Sequence, residues 1–428
     1  MPGLTRRITF FDGLRGLAAL QVVVHHYTLA FAPGRIGQLR FAADGETAVY
    51  LFFLMSGFVL TQSFEKAPRR VGVNLLRRVI RLGLPALAAT LLAAALVLPA
   101  SDLAHRAAIA SGSDWLRQSM EALMENPLRV LAADVSGLSL LAGYSDTGLI
   151  AAPFLSAIDA AINPPLWSLH IELWGSVWVL LLVWLRDRSN LLHAVALLGS
   201  VFVFGTNPLV LFTIACLYRQ LARTNRFRRL TEGRMNNAIG LPLIVCGILL
   251  CTISLIPPAF QIGWMPTGLL QTSYWLHSHK LLGAAVMFAG VLIAPFAQRM
   301  LDLGLPRLLG RLSFPIYLVH WPVMITCGSF VYLQARPLGE TAAAIAALAA
   351  GMAITFVCAI GFEYLVDLPA IRASRALVRD DLPQRVNGDL AALAPARADA
   401  APDGAVVLIQ PVNPGEPLAL DQLARIRL

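Results

Sequence analysis

The chain has 428 residues, 57% of them hydrophobic and only 14% charged, with a mean hydropathy of +0.66. A soluble domain of this length needs about a quarter of its residues charged, so the chain reads as a membrane protein and not as a soluble enzyme. Its net charge of +9 does not point to nucleic acid, because the basic residues punctuate apolar runs instead of gathering on one surface.

In chain order, apolar stretches bounded by charges or by Pro and Gly give ten candidate spans: residues 14–32, 47–64, 82–99, 166–185, 191–206, 208–222, 238–256, 280–298, 313–333 and 341–366. The fifth and sixth meet at Thr206-Asn207-Pro208, which is either a turn between two spans or a break within one. The predicted fold class is therefore all-α, a polytopic membrane helix bundle of about ten transmembrane helices over residues 1–372. From residue 373 to 428 the composition shifts to Ala, Pro, Asp and Gly, which predicts a mostly disordered tail with a short surface helix at Leu418–Leu428. Cys216, Cys246, Cys251, Cys327 and Cys358 all lie in apolar runs and read as packing residues.

The distribution of basic residues orients the bundle. With the amino terminus inside, 26 of the 34 Lys and Arg residues fall in the inner connections and the tail. The long segment Ala100–Pro165 carries three Arg against seven acids and is predicted to be external, with both termini cytoplasmic. Arg6, Arg7 and Ala30-Phe31-Ala32 have the outline of a cleaved export signal, but the apolar core Leu17–Val24 is short and His25-His26 follows it, so the segment is read as a span.

Ionisable groups at membrane depth are costly and by default point to function. In the first span Arg15 stands at the cytoplasmic edge and His26 follows eleven residues later. Steps of about 100° put both on one helix face, with His25 turned about 80° away and His26 about 18 Å above Leu14. The third span opens on Arg77-Arg78-Val79-Ile80-Arg81, where Arg78 and Arg81 face the same way and suit bidentate binding of phosphate, although topology alone also places arginines there. In the fourth span Ser168 and Glu172 are four apart, hence on one face, and Glu172 would lie about 9 Å deep, near the level of His26 and a reasonable partner for it. The ninth span places Tyr317 and His320 one turn apart in its inner half, with Pro322 loosening the backbone beyond them. His277-Ser278-His279 lacks a third ligand nearby, so no metal is expected.

Four segments, Phe11-Asp12-Gly13-Leu14-Arg15-Gly16, Leu51-Phe52-Phe53-Leu54-Met55-Ser56-Gly57-Phe58, Trp167-Ser168-Leu169-His170-Ile171-Glu172 and Tyr317-Leu318-Val319-His320-Trp321-Pro322, resemble in their order and spacing the acyltransferase 3 family of integral membrane acyltransferases. The resemblance covers about residues 8 to 372; it includes Arg15 and His26 as the family's basic residue and histidine separated by ten positions, and Arg78 to Arg81 as its R-x-x-R. It implies transfer of a short acyl group, most simply acetyl, from cytoplasmic acyl-CoA to a hydroxyl of a sugar, glycan or lipid-linked saccharide used outside the cell, by a multi-pass protein of the inner membrane. Many members place a second acidic or amide residue after the glutamate, where this chain has Leu173 and Trp174. Some carry a secreted hydrolase-like domain; if transfer needs such a domain, a separate protein must supply it.

The expected scheme has Arg15, Arg78 and Arg81 holding the CoA phosphates and His26 acting as general base. Glu172 would orient His26 and stabilise the imidazolium, while Asp12, Ser168, Tyr317 and His320 bind substrate or support the site. Passage through an acyl-histidine is the alternative to direct transfer. The rival from another class is a transporter or flippase for a saccharide or lipid precursor; the absence of paired repeats and the clustering of arginines at one edge count against it.

Overall fold

Apolar runs of about 20 residues leave the backbone one economical way to satisfy its own N–H and C=O groups in lipid, the α-helix. The computed structural model describes residues 8–66, 68, 70–145, 155–205, 207–232, 236–252 and 278–379, and among them there are helices and turns but no strand. The chain forms α1 (Phe10–Phe31), α2 (Gly45–Phe64) and α3 (Val71–Ser111), then three short helices, α4 (Asp114–Glu125), α5 (Pro127–Val135) and α6 (Leu138–Ala142). It continues through α7 (Trp167–Arg188), α8 (Asn190–Phe204), α9 (Val210–Leu221), α10 (Asn225–Glu232), α11 (Asn236–Thr252), α12 (Ser278–Ile293) and α13 (Pro295–Leu301). Next, α14 (Gly304–Val323) passes through a π-turn, Met324–Gly328, into α15 (Ser329–Ala335). Finally α16 (Glu340–Phe362) passes through a second π-turn, Glu363–Asp367, into α17 (Leu368–Arg379). Thr9–Leu377 forms one compact unit.

Five helical segments are long and apolar enough to cross a membrane, and up to seven if each of two bent pairs counts as one span, against the ten expected. One such pair is α12 and α13, bent by 94° at Pro295, where the predicted span 280–298 ran straight. Among the expected spans, α8 and α9 are shorter apolar helices. α1 is long enough, but Arg15, Gln21, His25 and His26 lower its hydropathy. It can carry them because it is an interior helix packed on α2, α14 and α16, whose groups supply partners that lipid cannot.

Two predicted spans begin or end far from where the charges placed them. The third is embedded in α3, whose 41 residues run on beyond Asp102 and Arg106 until Gly112, at φ +69°, ends the helix. The ninth lies within a helix that starts at Gly304, nine residues earlier than expected. The tail beyond Arg379, the surface helix at Leu418–Leu428 and His277 lie outside the described residues.

Glycines set the central crossing. A Cβ on Gly13 would land on the Leu301 carbonyl, and one on Gly310 on the Asp12 carbonyl, so backbones of α1, α13 and α14 touch where only hydrogen side chains allow it. The corner after α3 is pinned to the far end of α1: Ser111 Oγ donates to Ala30 O and Ser113 Oγ to Leu29 O, each at 2.7 Å, while Ser113 Oγ also caps α4 by accepting from Leu116 N. That corner carries Trp115 over the end of α1.

Candidate active site

Two cavities open toward opposite ends of the bundle. The first, about 200 Å³, is lined by Arg15 from the start of α1, by Ser56, Val59 and Leu60 from the second half of α2, by Arg78 and Arg81 from the start of α3, and by Ser168 and Glu172 from α7. The second, about 500 Å³, is lined by His25 and His26 from the second half of α1, by Glu46 from the start of α2, and by Trp115, Asp159, Trp167 and Lys280. Tyr317 of α14 lines both.

The first cavity is cationic and its arginines are held in place. Arg78 donates through Nε to Ser176 Oγ at 2.7 Å and through Nη2 to Ser56 Oγ at 3.0 Å, and Nη2 also pairs with Glu172 Oε1. Ser56 in turn donates to Glu172 Oε1 at 3.0 Å, which closes a small network around the carboxylate. Arg81 pairs with Asp367 on the second π-turn and lies 4.9 Å over the Phe314 ring. Asp12 stands one turn before Arg15 in α1, its backbone carbonyl against Gly310.

The partition between the cavities is a hydrogen-bonded knot. Tyr317 Oη donates to the Pro165 carbonyl and is 2.7 Å from Ser168 Oγ. Pro322 has no N–H for the Leu318 carbonyl four residues earlier, and Asn163 Nδ2 donates to that carbonyl instead, at 3.0 Å. A polar side chain from the loop before α7 thus repairs the proline break one turn beyond Tyr317.

His26 is fixed by a histidine. His320, with no exposed surface, places Nδ1 2.8 Å from Tyr317 O and 3.2 Å from Ile316 O. Carbonyls only accept, so Nδ1 of His320 carries the proton and Nε2 is left as an acceptor. Nδ1 of His26 lies 3.0 Å from that Nε2 and donates to it, which leaves Nε2 of His26 with a free lone pair. The His26 ring stacks on Trp115 at 5.8 Å between centroids and meets Trp321 edge-on at 5.9 Å. His25 is bound elsewhere, Nδ1 to Ala43 O at 2.7 Å, although it lines the same cavity. Nearby, Lys280 Nζ bridges Asp44 at 2.9 Å and Glu46 at 3.1 Å, and partial burial raises the carboxyl pKa of Asp159.

The structure thus brings Arg15, Arg78, Arg81, Ser168 and Glu172 together at one cavity, and His26 and His320 at the other, with Tyr317 between. It does not bring Glu172 to His26. The depth reckoned from Leu166 assumed that the helix starts at the membrane surface, whereas Pro164, Pro165 and Leu166 are already buried, so Glu172 lies farther in and bonds Arg78. His320, expected in the inner half, is bonded to His26, expected in the outer half, so the two depths reckoned from separate helices do not agree. Sequence reasoning passed over Asp367, Asn163 and Trp115. The acids of Glu363-Tyr364-Leu365-Val366-Asp367, near the arginine-rich end of the last span, were a readable signal; for Trp115, in a segment expected to be an external loop, there was none. Among the described residues no group of three or more His, Cys, Asp or Glu side chains is placed to hold a metal ion.

Comparison with known protein families matches residues 8–363 to the acyltransferase 3 model, an acyltransferase domain. No curated protein and no solved structure matches the chain. The family match gives no support to a transporter or flippase, and it spans both cavities and the knot between them. The chain belongs to the acyltransferase 3 family and is a multi-pass membrane acyltransferase.

Proposed function

We propose that this acyltransferase moves a short acyl group, acetyl in the simplest case, from a cytoplasmic acyl-CoA to a hydroxyl of a saccharide or lipid-linked saccharide on the outer side of the inner membrane. The observation that carries this reading is the pair of cavities meeting at Tyr317, one rich in arginine and the other holding an oriented histidine. Arg15, Arg78 and Arg81 bind donor phosphates by charge-assisted, forked hydrogen bonds, with Asp367 and Glu172 as positioning residues for Arg81 and Arg78. The acceptor hydroxyl gives its proton to Nε2 of His26 while its oxygen attacks the thioester carbonyl. The C–S bond then breaks, the acyl C–O bond remains, and the imidazolium returns the proton to the departing CoA sulfur. Ser168 and Tyr317 hydroxyls, standing where the cavities meet, are the donors nearest to a carbonyl passing between them. Asp12 supports the close crossing that sets Arg15.

The test is acceptor-dependent release of free thiol from acetyl-CoA by the purified, reconstituted protein, with mass spectrometry of surface glycans from cells with and without it. Thiol release matched by a new ester on a saccharide supports the reading. An ester on a saccharide formed without consumption of acyl-CoA overturns the donor assignment, and thiol release with no saccharide ester overturns the acceptor.

A further inference from the structure

Away from both cavities, three arginines converge on one carboxylate at the arginine-rich end of the bundle. Glu65, just past α2, receives Arg223 Nη1 at 2.7 Å and Arg186 Nη1 at 3.1 Å, both on its Oε1. Arg219 of α9 is 3.7 Å from Oε2, beyond hydrogen-bond reach. Arg219 is only 5% exposed, and its enclosed Nε donates to nothing among the described residues; its other neighbour is the Phe58 ring, 5.8 Å from the guanidinium. An enclosed guanidinium Nε–H without an acceptor forfeits solvation that a distant carboxylate does not restore, and the cluster keeps two positive charges in excess.

This cluster is not part of the arginine-lined cavity. Ser56, Val59 and Leu60 of α2 face that cavity, and Glu65, nine residues past Ser56, is turned about 180° from it, toward α7 and α9. Beside it α8 leaves Leu191, Leu192, Val195, Leu198 and Phe202 exposed, so the cluster sits where an apolar flank meets a basic rim.

We infer that Arg186, Arg219 and Arg223 form a binding site for a phosphate-bearing anion, with Glu65 the resident carboxylate that the anion displaces from them. Guanidinium forks match tetrahedral oxyanions, and a phosphate supplies the acceptors that Arg219 lacks. Two sources share that chemistry: the headgroup of an anionic lipid and a soluble phosphate compound. The site stands apart from the acyl-transfer reading, and its test needs no turnover.

The full-length protein is placed in nanodiscs of phosphatidylcholine alone or with one fifth phosphatidylglycerol, and its thermal unfolding midpoint is followed; parallel samples in phosphatidylcholine are titrated with inorganic phosphate or ADP at constant ionic strength. A rise with phosphatidylglycerol only, diminished in Arg223→Gln, identifies a lipid headgroup at this cluster, and such a rise with phosphate or ADP a soluble anion; a rise that both arginine variants leave intact belongs to the arginine-lined cavity and overturns the inference. In either case Arg219→Gln should weaken the response by at least about tenfold, since it removes charge-assisted bonds. Arg223→Gln, at an exposed position, should weaken it several-fold and serves if Arg219→Gln does not fold. Glu65→Gln should strengthen binding, because it removes the competing carboxylate, whereas a purely structural ion cluster would only lose stability. No midpoint change with any of the three probes, or an unchanged response in Arg223→Gln together with no gain in Glu65→Gln, overturns the inference. Arg188→Gln, whose guanidinium lies over Trp184, is the control and should respond as the unaltered protein does.

Discussion

Replacing His320 with leucine should slow acyl transfer while leaving donor binding almost unchanged. His320 passes orientation from the backbone to His26: its Nδ1–H is committed to the carbonyls of Tyr317 and Ile316, and its Nε2 accepts from His26 Nδ1 at 3.0 Å. Leucine fills similar space but accepts nothing, so in the reactive orientation the Nδ1–H of His26 loses this acceptor, and the ring is free to turn toward its other partner, the Val22 backbone. Leaving a buried donor unpaired costs about 1–3 kcal/mol, and if that cost falls on the reactive orientation the rate drops by about 5- to 150-fold. Glutamine at 320 restores an acceptor oxygen and should recover part of the loss. The assay is acyl transfer per mole of inserted protein, with kcat and the donor KM determined separately, for His320→Leu, His320→Gln, His26→Gln and His25→Gln. The expected order of kcat is unaltered protein, then His320→Gln, then His320→Leu, with His26→Gln lowest by about 10²- to 10⁴-fold. His25, bonded to Ala43 O, should matter for folded yield more than for kcat. A His320→Leu protein that keeps its kcat, or loses activity only through a raised donor KM, would refute the orienting role; an active His26→Gln protein would refute the base.

Arg78 and Glu172 should couple: removing either alone leaves a half-buried charge without its partner and costs about 1–3 kcal/mol, whereas Arg78→Met with Glu172→Met should cost less than the sum, as a double-mutant cycle of unfolding midpoints would show. Arg81→Gln should raise the acyl-CoA KM by about tenfold and spare the acceptor KM; the reverse pattern would remove it from the donor site. Burial moves the Asp134 carboxyl from an ordinary 3.8 up to about 6, despite the Tyr144 hydroxyl donating to it at 3.1 Å. Because the folded state holds this proton more tightly, stability should be greatest below about pH 4 and fall by up to about 3 kcal/mol as pH rises through 6, a slope that Asp134→Asn should abolish in melts between pH 4.5 and 7.5. For topology, single cysteines from Glu125→Cys and Asn387→Cys in a cysteine-free background should differ: an impermeant thiol reagent on intact cells should label position 125 and not 387, and the opposite result would invert the charge-based orientation.

Much of the helix register was legible because apolar runs end where a charge or Pro–Gly pair appears. α1, α2 and α7 begin and end within a few residues of expectation. The rule failed for α3, whose 41 residues, about 60 Å, run past the roughly 30 Å that lipid requires. A helix needs apolar flanks only where lipid surrounds it, and α3 continues on its own backbone bonds and its packing against α4 after its charges begin. The site was legible to the extent that it depends on spacing within one helix. Ser168 and Glu172 line one cavity, as do Arg78 and Arg81, whereas Arg15 and His26, expected on one face, line different cavities, and His25 lines the same one as His26. Partners across helices were not legible. Asp367 meets Arg81 from 286 positions away, and Glu172 chose an arginine over a histidine because of where α7 starts, which no periodicity records.

Those cross-helix partners also link the two cavities mechanically. On the proposed route an acyl group passing from the arginine-lined cavity to His26 meets the Tyr317 side chain, which lines both cavities and whose hydroxyl is tied to Pro165 and Ser168. The Tyr317 carbonyl is at the same time the nearer acceptor for His320 Nδ1, and His320 sets the tautomer of His26. A rotation about the Tyr317 side chain leaves that carbonyl where it is, whereas a shift of the α14 backbone would move it and misalign the base. The backbone here is weakened by Pro322 and by the π-turn that follows, and Asn163 makes good the missing hydrogen bond at Leu318. The Asn163 bond thus holds the turn that carries the Tyr317 carbonyl, so on the proposed route a rotation of the Tyr317 side chain is compatible with an aligned His26.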